Sequence, residues 1–211
     1  MWTIAAMSSP RSLAVSVPLA LAVAACGGKR DDASAGQPGA PAGKAPAPAH
    51  PAAAADPFTP RDVSGAALAK VDDAIGAVGF SIDLPSGLVR EAKDAYVTWS
   101  WPDGMFNAPS ITVQLIDVPP ASLEAAVAAA KLTSDPELVV ATQEAVPGGF
   151  LVSVHRPDDR FLSTDLSRGV ADGKALRCSV TARTGDKQGP IPARAATMKL
   201  AETICRSLTP R

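Results

Sequence analysis

KALRCSVTAR, residues 174–183, is the stretch on which the fold turns. Leu176, Cys178, Val180 and Ala182 recur at every second position, and Arg177, Ser179, Thr181 and Arg183 fill the others. A period of two places the first set on one side of an extended chain and the second on the other. The segment predicts a strand with one buried face. Downstream, Pro190 and Pro192 introduce a helix over 193–208. There Thr197, Ala201, Ile204, Cys205 and Leu208 share one helical stripe, so Cys205 is expected to face inward, as Cys178 does from its strand.

Working outward, the same alternation recurs. Phe80, Ile82 and Leu84 alternate with Ser81 and Asp83, and Pro85 and Gly87 close that run. Val97, Trp99 and Trp101 predict a second strand, ended by the turn signal Pro102-Asp103-Gly104, and Ile111, Val113 and Leu115 a third. Ser122 is placed to cap a helix carrying Leu123, Val127 and Ala130 to about Leu132. Segments 137–145 and 150–155, joined by Pro147-Gly148-Gly149, predict a hairpin. Segment 161–167 reads as a strand or a lid. Val63, Ala67, Val71, Ile75 and Val78 have a helix-like spacing, so 63–78 is expected to be helical and to end at Gly79.

Hairpins imply antiparallel pairing. The expected fold is α+β, an antiparallel sheet of about six or seven strands with helices packed on it. The GFSIDLPSG start at 79–87, the mid-chain helix and the closing helix resemble PsbP-like domains, found in photosystem accessory proteins and in bacterial lipoproteins of unknown role. A disulfide at the end of the domain is not part of that family's general pattern.

The N-terminus reads as an address. Leu13 to Ala25, LAVSVPLALAVAA, is uncharged and follows Arg11. It is too short to span a bilayer, which takes roughly 20 apolar residues, and suits a signal-peptide core. Its end, Val23-Ala24-Ala25-Cys26-Gly27-Gly28, resembles the bacterial lipobox. That resemblance implies removal of residues 1–25, acylation at Cys26 (a palmitate-bearing anchor) and a membrane partner reached through that lipid. The absence of aspartate after the cysteine resembles an outer-membrane sorting signal, giving a lipid-anchored place in the cell envelope. Met1 and Met7 are both candidate starts, and MSSPRSLAV from Met7 reads as the more usual basic one.

Residues 26–58 hold six prolines with many alanines and glycines. No large apolar residue occurs before Phe58, so this stretch cannot bury enough surface to offset chain entropy. It is expected to be a disordered tether, with a coil reach of roughly 30 Å and at most about 95 Å when extended. Residues 59–211 are expected to form one domain.

Of the three cysteines, Cys26 is assigned to lipid. Two inward cysteines in an oxidising compartment should pair, so Cys178 and Cys205 are expected to form a disulfide.

Motifs for chemistry are scarce. The formal net charge of -1 offers no basic surface, so no nucleic-acid partner is expected. Ser153, His155, Asp158 and Asp159 lie close in sequence, but no G-x-S-x-G accompanies them, so His155 is a hydrolase candidate only in an alternative reading. His155, Asp158, Asp159 and Asp165 match no calcium-loop spacing. Asp72-Asp73 and Asp158-Asp159 read as solvated charge. No glycine loop has the phosphate-cradling pattern, and no cofactor is expected.

Trp99, Trp101, Met105 and Phe106 gather a large share of the domain's aromatic and thioether surface. Trp99 and Trp101 share a strand face and read as core; the alternative is a shallow apolar groove for a peptide or lipid, capped by Met105 and Phe106. The functional expectation is a non-enzymatic envelope lipoprotein that binds or scaffolds, with an envelope protein as its partner. The alternatives are a carrier or sensor of a small apolar ligand and a hydrolase using His155.

Overall fold

A computed structural model describes residues 59–102, 108–131, 135–185 and 187–211. The signal segment, Cys26, the tether and the Met105 and Phe106 positions lie outside the described residues. The elements run β1 (Leu68–Ile75), β2 (Val78–Pro85), β3 (Val89–Lys93), β4 (Tyr96–Ser100), β5 (Ser110–Ile116), α1 (Leu123–Lys131), β6 (Val139–Val146), β7 (Gly149–His155), β8 (Phe161–Gly169), β9 (Ala175–Arg183), α2 (Arg194–Ser207) and β10 (Thr209–Pro210).

Seven strands form one antiparallel sheet in the order β3-β4-β5-β9-β8-β7-β6. β9, the strand read first from the sequence, lies at its centre. The expected α+β class with an antiparallel sheet and packed helices is what the chain forms. A second sheet, β1-β2-β10, has β2 in the middle.

The expected helix over 63–78 is wrong. Residues 68–75 are β1, paired with β2 from Leu68↔Pro85 to Ile75↔Val78. A spacing of four, as in Ala67, Val71 and Ile75, is in phase with both a helix and a strand. The turn decides between them. Gly76 has φ 59°, the sign that two-residue hairpin turns need at their first central position. Asp72 and Asp73 are not simply solvated. Asp73 accepts two hydrogen bonds from Arg90, at 2.7 and 2.8 Å, and Asp72 pairs with Arg211 at 2.5 Å.

The expected hairpin at 147–149 forms, with Val146 opposite Gly149 and Gly148 at φ 79°. Pro before a glycine with positive φ is the chemistry of a type II turn. Segment 161–167 is a strand of the sheet interior, not a lid. Ser122 caps α1 by accepting from the Ala125 N–H at 3.1 Å.

The strand registers sort side chains onto two faces. On one, Trp99, Val113, Leu151, Leu166, Leu176 and Val180 meet Phe80, Ile82 and Leu84 of β2 and Ile204 and Leu208 of α2. Phe80 and Trp99 meet edge to face, with centroids 6.4 Å apart. Cys178 and Cys205 are joined there, with Cα atoms 5.4 Å apart, and both are fully buried. On the other face Val152 and Val154 pack against Leu123, Ala126 and Val127 of α1. Among the described residues no helix is long and apolar enough to cross a membrane.

Candidate ligand cleft

The two helices cover the large sheet unequally. α2 and the small sheet fill one face, while α1 lies over β6 and β7 on the other. The reason is in the helix sequence, LEAAVAAAK. Leu123 and Val127 supply bulk on one side, and the flank formed by Ala125, Ala126, Ala129 and Ala130 ends in methyl groups. Methyls leave open what leucines would fill. Between that flank and the sheet runs a cleft of about 460 Å³. Its floor is Ile116, Phe150 and Val152, and its mouth is Val118, Pro119 and Pro120. Val118 is 87% exposed, an uncovered apolar side chain at the entrance. The volume lies in the range of small-molecule sites.

One end of the cleft is polar. Asp165, Ser167 and Arg177 line it. Arg177 on β9 reaches across to Asp165 on β8, with Nε and Nη2 at 2.9 and 2.7 Å from Oδ1. Asp165 also accepts from the Ser163 hydroxyl at 3.2 Å. The pair is therefore internally neutralised and oriented. Beyond it, Arg177 shares a second depression of about 220 Å³ with Thr112, Gln114 and Ser179. All four project from the strand face that α1 leaves bare, on the parity opposite to Val113 and Cys178.

The strand parity that reads Trp99 as core agrees with its burial. Trp99 is 3% exposed and points to the α2 face, so it shares no cavity with α1, which lies on the opposite face. Trp101 is half-buried with the Arg61 guanidinium 5.1 Å from its ring centroid. Met105 and Phe106, the other two residues of the alternative groove, are outside the described residues.

The residues singled out for chemistry are engaged elsewhere. The Ser153 hydroxyl donates to Glu202 at 2.9 Å and lies 3.0 Å from the Thr164 hydroxyl, and both hydroxyl residues are fully buried. His155 Nδ1 donates to the Arg156 carbonyl at 2.9 Å rather than serving Ser153. Asp158 accepts from the Arg160 N–H at 3.0 Å, Asp159 pairs with Arg194 at 2.7 Å, and Asp165 belongs to the cleft. Among the described residues no three metal-ligating side chains converge. The cleft residues were missed in the sequence because they come from four strands and one helix. The only local signal was the alanine run of α1 beside Pro119-Pro120.

No protein-family model matches the chain. No curated protein matches it either. Solved structures do: the Saccharomyces cerevisiae Ran-binding protein Mog1p is similar at TM-score 0.50 and 14% identity, over 69% of this chain and 96% of that one. A mutant of protein Mog1 is similar at TM-score 0.49 and 14% identity, over 68% and 95%. At that identity the likeness is one of fold, and the α+β domain of this chain has a Mog1-like arrangement.

Proposed function

We propose that this chain is a lipid-anchored protein of the cell envelope whose tethered domain is a non-catalytic binding module, with the cleft beside α1 as its binding site. The observation that carries the reading is the cleft itself. It is open, its walls are apolar, its polar end is an ion pair beside the Ser167 hydroxyl, and among the described residues no metal-ligand set converges. Such a place suits holding a ligand. The one hydroxyl near a histidine in sequence, Ser153, is sealed in the core. A binding use of the fold has a parallel in Mog1p, described as a Ran-binding protein. The anchor rests on the Val23–Gly28 pattern and the proline-rich segment after it.

Two measurements test this. Mass spectrometry of the protein from its own membranes should find a mature chain beginning at acylated Cys26, and Cys26→Ala should abolish both the acyl mass and cleavage at this position. An unmodified Cys26 with residues 1–25 attached overturns the anchor. For the cleft, the uncharged dye N-phenyl-1-naphthylamine should bind and brighten, and Ala129→Leu should abolish most of that signal. Dye binding unchanged by Ala129→Leu removes the cleft from the proposal.

A further inference from the structure

We infer that the natural occupant of the cleft is a single-chain amphiphile with an uncharged, hydroxyl-bearing head, of the monoacylglycerol type. This rests on the reading of the cleft as a binding site, and deepens it by naming the ligand class.

The body of the ligand follows from the walls. Away from Asp165, Ser167 and Arg177 the lining side chains are alanine methyls, prolines, Val118, Ile116, Phe150 and Val152, so hydrocarbon fills that part without leaving polar groups unmatched. The head follows from what adjoins. Arg177 borders both the apolar cleft and the depression with Thr112, Gln114 and Ser179, so a molecule filling the first delivers its end group to the second.

The charge there is already balanced. Arg177 is paired with Asp165, and the nearby Asp117, next to Ile116 in the chain, is paired with Lys174 at 2.9 Å. Neither pair leaves a surplus charge at this end, so charge complementarity favours no ionic head. Gln114 and Ser179 each donate and accept, while the Thr112 hydroxyl is shared with that of Thr98 at 3.0 Å. Groups with that dual character are matched by hydroxyls, which also do both. A carboxylate only accepts, and a quaternary ammonium does neither.

The test compares three amphiphiles of one chain length, each below its micelle concentration, as competitors for N-phenyl-1-naphthylamine. They are monodecanoylglycerol, decanoate and decyltrimethylammonium. The protein is the mature chain from residue 26 carrying Cys26→Ser, so that no acyl group, signal segment or detergent competes. Monodecanoylglycerol should displace the dye at about tenfold lower concentration than either charged competitor, the worth of one or two net hydrogen bonds. Ser179→Ala combined with Gln114→Leu should cut that advantage to about threefold or less while leaving dye binding unchanged, because both positions lie outside the apolar cleft. Equal displacement by all three, or preference for decanoate, overturns the head-group assignment and leaves the cleft standing. Absence of dye binding by a chain that still melts cooperatively overturns the cleft and this inference together.

Discussion

Arg168 on β8 closes the C-terminal end of α2 through the carbonyl oxygen of Leu208, to which its Nη1 donates. Its Nη2 donates to the Arg206 carbonyl at 3.0 Å. The last carbonyls of a helix have no intrahelical N–H to accept from, and a cation there also meets the negative end of the helix dipole. One guanidinium answers both needs and ties the helix to the sheet that it covers. Arg168→Met should lower stability by about 1.5–3 kcal/mol, the range for hydrogen bonds to charged groups. Arg168→Lys should recover less than half, since an ammonium lacks the planar fork. Urea titration of the three proteins decides this.

The disulfide lies beneath the same helix. Cys178 and Cys205 are each fully buried and 27 residues apart. Replacing both with alanine should cost about 2–4 kcal/mol. Because neither sulfur meets solvent, dithiothreitol should fail to reduce the folded protein and should reduce it promptly in guanidinium. A maleimide gel shift under both conditions reads the outcome; thiols labelled under native conditions would contradict the burial.

Acid should destabilise the domain through its paired carboxylates. The hydrogen bond from Arg90 holds the Asp73 carboxyl below its ordinary 3.8. Hydrogen bonds from Arg156 and Arg206 likewise lower Asp135 and Glu144. A carboxyl lowered in the folded state adds stability that is present above its unfolded value, and is lost as pH falls through the folded one. The melting temperature should therefore decline below about pH 4, and Asp73→Asn should flatten that decline. At neutral pH the same change should cost about 0.5–1 kcal/mol, kept small because the Arg90 side chain is 46% exposed. Thermal melts across the acid range provide the check.

Gly149 opens β7 opposite Arg168, where the neighbouring strand leaves no room. A Cβ at this position would stand 1.6 Å from the Ser167 carbonyl oxygen. Gly149→Ala should destabilise by more than about 2 kcal/mol, since backbone must move to admit it. Gly65→Ala, with nothing within 4 Å of the added carbon, is the matched control and should be near neutral. Chemical denaturation of both variants distinguishes a packing constraint from a general cost of replacing glycine.

Parts of the fold were open to reading from local pattern, and the exceptions have definite causes. β2, β4, β5, β9 and α2 carry one apolar face each, so their period announces them. β3, VREAK, is exposed throughout as an edge strand of the large sheet, and with no buried face there is no alternation to detect. β10 is two residues long and exists because the chain end meets β2 at Ser81 and Phe80. β1 was misread because positions four apart satisfy two periods at once. Beyond the alanine run of α1 beside Pro119-Pro120, the cleft left no pattern in the sequence. Arg177 looks like any outward residue of a strand until Asp165 is found beside it.

The chain by itself determined the alternation of β9, the stripe of α2 and hence that Cys178 and Cys205 both turn inward, because side-chain direction in regular structure follows from backbone period alone. Only the tertiary structure decided that α1 lies on the face opposite Trp99, that its alanine flank stands off from Phe150 and Val152, and that Arg177 meets Asp165. Those relations join residues far apart in the chain, and strand order, which no local period encodes, sets them.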